Sequence, residues 1–233
     1  MNAGIAQKLL IGIKRLRFRA NDARRQAADN EYRAKRPGVI ARSNGRCVYC
    51  NYSSKQHNEV HHLDDDHHNN DDRNFGIACR ACHPYQHIGE PSKAGDVAGE
   101  GLGAQTILAA IPELSAQDVN HLQRAIGAAL LEPQEGAVAK AILHHLTETR
   151  CAPVKVVWET CLPVNFAAAL AQLSPGEYEA RGDAIGHLRL IYKEDMLEQF
   201  GRQLLLDYPA LPVKSWEGVA ADVARKVKNN ARP

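Results

Sequence analysis

The chain lacks a strong net charge: 29 Lys and Arg stand against 27 Asp and Glu, leaving +2. So even a balance excludes a uniformly basic nucleic-acid binder, though not a local basic patch. No apolar run comes near the roughly 20 residues that a membrane span needs. Nor does the start read as a secretory leader. The short apolar stretch Leu9 to Ile13 precedes Lys14, Arg15, Arg17 and Arg19, whereas a leader carries its charges first. The sequence therefore reads as that of a mature cytoplasmic protein. No internal repeat, glycine-rich phosphate loop or nucleophile elbow occurs. What remains is 233 residues, 44% hydrophobic and 24% charged. Those values fit a folded chain of one large domain or two small ones and exclude disorder as its main state.

Six cysteines are present, and four fall into two C-x-x-C pairs, Cys47/Cys50 and Cys79/Cys82, separated by 28 residues. A C-x-x-C turn aims both sulfurs at one point. Two such turns offer four soft ligands at the corners of a tetrahedron, the arrangement Zn²⁺ accepts. Disulfides are the rival reading, but they suit small secreted chains. A redox pair of the thioredoxin kind would need one C-x-x-C at a strand-to-helix junction, not two matched turns. Cys151 and Cys161 lie apart from the cluster and read as buried free thiols.

Charge is unevenly spread. The first 46 residues hold twelve Lys and Arg against three acids. That arm suits phosphate contact or an acidic partner, or is simply a solvated helix face. Leu9, Ile11 and Ile13 alternate as in a strand. Asn21-Asp22 reads as a helix start, Pro37-Gly38 as its end, and Val39 to Ser43 as a further short helix. Residues 51–75 reverse the sign, with Glu59, Asp64, Asp65, Asp66, Asp71 and Asp72. His57, His67 and His68 in the same polar stretch read as surface residues without function. Residues 91–110 read as a Gly-rich linker. Helical patterning follows over 111–233. Ser115 to Asp118 forms a capping box ahead of Val119, Leu122, Ile126 and Leu130. A second stripe runs through Val138, Ile142 and Leu146, and Pro163 starts a third helix. Leu188, Leu190 and Tyr192 alternate as in a strand. Met196, Leu197, Phe200 and Leu204 return to helical spacing, and Ser215 caps a last helix with Val219, Val223 and Val227.

Between the cysteine pairs runs Val60-His61-His62-Leu63, and Asn74 to His83 contains the second pair. This resembles the HNH, or ββα-metal, nuclease motif framed by a zinc ribbon. The resemblance implies a strand ligand at His61, a general base at His62, an orienting asparagine at Asn74 and a helix ligand at His83. His87 lies four residues beyond His83, good spacing for a second ligand from one helix face, provided the helix begins near Pro84. Adjacent strand residues face opposite sides, so His61 and His62 suit one ligand plus one base. Cleavage of a phosphodiester needs a water, a base and a cation beside the leaving oxygen. His62 would supply the base. A second divalent ion, Mg²⁺, Mn²⁺, Ni²⁺ or Zn²⁺, would sit on His61, His83 and His87. The acids at 64–66 would repel phosphate unless a cation offsets them.

A wider resemblance is carried by Lys8-Leu9-Leu10-Ile11, Arg46-Cys47-Val48-Tyr49-Cys50, Leu63-Asp64-Asp65-Asp66, Asn69-Asn70, Asn74, the second cysteine pair and Ile111-Pro112-Glu113-Leu114-Ser115. Over residues 8–130 the chain resembles the IcmJ/DotN family of type IVB (Dot/Icm-type) secretion and related conjugation systems. The second half is similar more weakly. The resemblance implies a subunit of the coupling complex, recruited to the cytoplasmic face of the inner membrane. Its partners would be the coupling ATPase and other subunits of that complex. It also implies an HNH-like zinc fold without catalysis, and this chain departs from that pattern in holding histidines at all the motif positions. Three readings follow: an adaptor for the coupling ATPase, an active HNH endonuclease, and a zinc ribbon that binds DNA without cutting it. The expected architecture is α+β. A zinc domain over 1–90, with the basic arm, would precede the 91–110 linker and a mostly helical domain over 111–233.

Overall fold

The computed structural model describes residues 8–13, 25–64, 66, 68–89 and 105–209. The basic stretch from Lys14, the helix start at Asn21-Asp22, most of the Gly-rich segment and the helix expected after Ser215 lie outside them. The architecture is α+β. Two small antiparallel sheets and a buried four-cysteine cluster come with a mainly helical second half.

Helix α1 spans Arg25–Ser43. It does not stop at Pro37-Gly38, and no separate helix starts at Val39. A mid-helix proline costs about 3 kcal/mol, and packing offsets that here. Ala28 and Val39 are buried, with Tyr32 and Ile40 partly so; Val39, Tyr32 and Ile40 join a cluster with Val60, Phe75 and Ile77. The helix ends at Asn44 and Gly45, both with positive φ. At Gly45 a Cβ would lie 2.5 Å from the Ser54 carbonyl oxygen, so the close turn back towards the first cysteine pair requires glycine.

Strands β1 (Glu59–His62) and β2 (Phe75–Ala78) form an antiparallel hairpin. Val60 pairs with Ile77 and His62 with Phe75, and these four side chains face α1. His61 pairs with Gly76, and Glu59 with Ala78, on the other face. The helix expected after the second cysteine pair is a single 3₁₀ turn, His83–Gln86, with Pro84 in its first turn. Residues 8–13 form no strand of a sheet. Gly12 exchanges two backbone hydrogen bonds with Tyr85 and Ile88. An irregular turn gives them no ladder to join. Leu9 and Ile11 are nevertheless buried, as their alternation implies.

Strand β3 (Thr106–Ala110) takes the last five residues of the segment read as linker and pairs antiparallel with β4 (Leu188–Tyr192). Its apolar residues, Ile107 and Leu108 above all, make it a strand; the neighbouring glycines obscured that. Around this sheet pack α2 (Ala116–Leu130), α3 (Gly136–His144), α4 (Ala152–Trp158), α5 (Pro163–Leu170), α6 (Pro175–Ile185) and α7 (Glu194–Asp207). A π turn, His145–Thr149, extends α3. Ser115 caps α2, its Oγ accepting from the Asp118 N–H, and a reciprocal capping box forms between Ser174 and Glu177 on α6. The buried stripe of α3 is Ala139 and Leu143, continued by Leu146; Val138 and Ile142 are turned outward.

Helices α2 and α7 cross backbone to backbone at Gly127 and Gly201. One apolar core runs from Leu9 through the cysteines to Phe200, so both halves share it. Polar ties reinforce the join. The Leu190 N–H donates to Tyr85 Oη, Tyr192 Oη donates to the Ala81 carbonyl, and Gln123 brackets β4 through Leu190 O and Tyr192 N–H. No helix among the described residues is long and apolar enough to cross a membrane.

Candidate metal centre

Each cysteine pair is held by its own turn. In the first, the Cys47 N–H donates to Tyr52 O and the Asn51 N–H to Cys47 O, while the Val48 N–H ties the turn to Ile77 of β2. In the second, the N–H groups of Cys82 and His83 both donate to Cys79 O. The hairpin β1–β2 spans the interval and brings the two turns face to face. All four sulfurs are buried and lie within 4.8 Å of one another. Cys50 and Cys79 Sγ are 3.6 Å apart. A tetrahedron with Zn–S bonds of about 2.3 Å has edges near 3.8 Å, so the spacing suits Zn²⁺.

The surroundings fit thiolates rather than thiols. Arg124 of α2 is 4% exposed, and its Nη2 lies 2.7 Å from Cys79 Sγ and 3.9 Å from Cys50 Sγ. Its guanidinium stacks 4.2 Å over the Tyr52 ring, and its Nη1 donates to Asn120 O. Burial works against the charged guanidinium, but the sulfurs of Cys79, Cys50 and Cys82 outweigh it and hold Arg124 above its ordinary range. Asn120 Nδ2 donates to Cys82 Sγ at 3.2 Å and to Ala81 O. His121 Nε2 donates to Cys50 O at 2.8 Å. One helix thus caps the cluster with N–H donors. A zinc–tetrathiolate carries two negative charges, and buried charge has to be met by hydrogen bonds or counter-charge.

A second cluster joins His61, His83 and His87, whose ligand atoms also lie within 4.8 Å of one another. His61 comes from β1, His83 opens the 3₁₀ turn beside Cys82, and His87 closes it. The His61 and His83 rings are 5.5 Å apart and those of His83 and His87 4.9 Å. The spacing of four brings His83 and His87 together without an α-helix. Two groups contact the rings: Tyr49 Oη lies 2.9 Å from His61 Nε2, and Glu59 Oε2 lies 3.4 Å from His83 Nδ1. The hydrogen bond from His83 keeps the Glu59 carboxyl below its ordinary range. Three imidazoles suit Zn²⁺, Ni²⁺ or Mn²⁺, and such an ion would act as a Lewis acid on an oxygen bound to it.

His62 and Asn74 do not join this cluster. His62 faces α1, is 6% exposed, stacks on Tyr32 at 5.5 Å and meets the tilted Phe75 ring at 4.9 Å. Its Nε2 lies 3.0 Å from Asn70 Oδ1. The Asn70 amide nitrogen donates to Ala28 O and Glu31, so its oxygen accepts from the His62 Nε2–H. The asparagine that orients His62 is therefore Asn70. Asn74 instead closes the loop between the strands. Its Nδ2 donates to Asp64 and to Asn69 O, and its Oδ1 accepts from the Asp64 N–H. Asp64 is thereby engaged, and its carboxyl sits below its ordinary range despite burial, through hydrogen bonds from Asp66, Asn69 and Asn74. Cys151 and Cys161 are buried free thiols, as read.

Sequence reasoning missed Asn70, Tyr49 and the whole contribution of α2. A signal for α2 existed: Asn120, Gln123 and Arg124 interrupt its apolar side, and polar residues at core positions need partners. Comparison with known proteins adds nothing to the geometry: no protein-family model matches the chain, and no curated protein matches it.

Proposed function

We propose that the chain is a zinc-stabilised adaptor, an IcmJ/DotN-like subunit that docks a coupling ATPase in a type IVB secretion or conjugation system. The observation that carries this reading is the exposed apolar corner between α4 and α5. Val156 is 82% exposed, Val157 69% and Leu162 50%, with Trp158 and Val164 beside them. Next to this corner lies a cavity of about 580 Å³, lined by Trp158, Phe166, Leu170, Leu173 and Ile185. Large contiguous apolar surface marks a place where another molecule sits, and a groove between helices suits an inserted helix or aromatic anchor. In this reading the cysteine cluster holds zinc and fixes the scaffold, and the seclusion of His62 behind Tyr32 and Phe75 supports a non-catalytic role. Mixing the full chain with the cytoplasmic part of the coupling ATPase tests it. A micromolar complex is expected, lost in Val157→Asp and Trp158→Asp. No complex at micromolar concentrations refutes the adaptor.

The convergence of His61, His83 and His87 favours a second reading, a metal-dependent HNH endonuclease. Incubation with plasmid DNA and Mg²⁺, Mn²⁺ or Ni²⁺ separates the two. Nicking that disappears in His83→Ala and His87→Ala would replace the adaptor reading. Intact plasmid with every ion would remove the nuclease.

A further inference from the structure

We propose that Arg124 is the counter-ion of the zinc centre, a positioning residue that sets how tightly the four thiolates hold their metal. The inference depends on zinc at the cysteines and not on either functional reading above. A tetrathiolate site is unusually anionic, and the N–H groups of the two cysteine turns named above are spent on backbone carbonyls rather than on sulfur. The compensating charge comes from far along the chain. Arg124 is separated from Cys79 by 45 residues, yet its Nη2 lies 2.7 Å from that sulfur with Cys50 next in reach.

Two further contacts and near-complete burial leave the guanidinium little freedom. The Tyr52 ring centroid lies 4.2 Å from its central carbon, Asn120 O takes a second N–H, and the side chain is 4% exposed. Tyr52 is itself held, donating from Oη to Asp207 Oδ2 at 2.5 Å. The planar fork suits this position. One nitrogen can point at sulfur while the flat face lies on an aromatic ring, which a lysine ammonium cannot do. Asn120 repeats the device on a smaller scale at Cys82. Charge-assisted N–H···S bonds draw electron density from sulfur and favour the metal-bound thiolate over the protonated thiol.

Substitution in the full chain tests this, with Co²⁺ loaded in place of Zn²⁺ so that the sulfur-to-metal charge-transfer band can be read. In Arg124→Met the sulfur lone pairs rise in energy, and the band moves to longer wavelength. Competition against a chromophoric chelator should show Zn²⁺ held about 10- to 100-fold more weakly, the usual effect of losing an outer partner. Arg124→Lys keeps the charge and should lose clearly less. Where Arg124→Met does not fold, Arg124→Gln takes its place as the neutral variant. An unmoved band with chelator competition unchanged in the neutral variant overturns the proposal. So does a lysine variant that loses as much as the neutral one, since packing alone would then explain the effect. Metal analysis of the unsubstituted chain and of a Cys79→Ser variant stands apart from both outcomes: a zinc that the chain loses with Cys79 is the premise, and its absence would fail the site itself.

Discussion

Consider replacing Gly127 by alanine. The added methyl would sit 1.8 Å from the Leu197 carbonyl oxygen, 2.6 Å from its carbon and 3.0 Å from the Gly201 nitrogen. All three are backbone atoms of α7, so no side chain can turn aside. To restore ordinary contact the helices must part by roughly 1.5 Å, enough to forfeit much of the dispersion between them. Overpacking usually costs about 1–3 kcal/mol, and a backbone obstacle belongs at the top of that range, about 3 kcal/mol. For a chain of this size each kcal/mol moves the melting midpoint by about 2–4 °C, so a fall of roughly 6–12 °C is expected. Thermal unfolding of the zinc-loaded protein by circular dichroism measures it. Gly201→Ala meets the same obstacle from the other side, its methyl 2.2 Å from the Gly127 carbon. One separation relieves both, so the double variant should cost less than the two singles together. Because α2 also carries Asn120 and Arg124 onto the sulfurs, Gly127→Ala should lose zinc faster to a chelator. A midpoint within 2 °C of the parent, or strictly additive losses, would refute the reasoning.

Stripping the metal with EDTA should lower the melt of the entire described body in one transition, because the cysteines share a core with α2 and β4; separate transitions for the two halves would contradict this. Asn70→Ala should cost about 1–3 kcal/mol, read by denaturant titration, since it takes from the buried His62 Nε2–H the oxygen that accepts it. Burial, with Cys161 beside it, pushes the Cys151 thiol up to about 12. A thiol raised above its unfolded value of about 8.5 leaves stability intact below that pH and erodes it as pH climbs towards 12. The parent should therefore lose more stability than Cys151→Ala between those limits, and native Cys151 should resist alkylation at pH 8.

Much of the metal centre was legible because ligand spacing is local chemistry. The C-x-x-C pairs and the four-residue step from His83 to His87 survive whatever backbone joins them, which is why a 3₁₀ turn served where a helix was expected. Strand alternation correctly separated His61 from His62. What could not be read was decided by long-range packing. Pro37 failed to end α1 because Val39 and Ile40 bury against the hairpin, a gain no local propensity records. Val138 and Ile142 carry the stronger hydropathy on α3, yet Ala139 and Leu143 face inward, because the small alanine lets the helix approach. The asparagine beside His62 is Asn70 and not Asn74, a choice made by the fold of a polar loop. Arg124 was invisible because no acid lies within a helical turn of it; its anion lies on another part of the chain.

The bonds from Tyr192 and Asn120 to the Ala81 carbonyl, and from Leu190 to the Tyr85 hydroxyl, bear on how this protein can be dissected. A fragment cut after Gly89 would present Tyr85, wholly enclosed in the intact chain, as a bare aromatic face with its hydroxyl unclaimed. The remaining piece would carry a guanidinium with no anion to meet. Neither half is expected to transfer as a module. Descendants of this chain are therefore constrained to alter the cysteine turns and α2 in concert, and a substitution tolerated in one lineage need not survive transplantation into another.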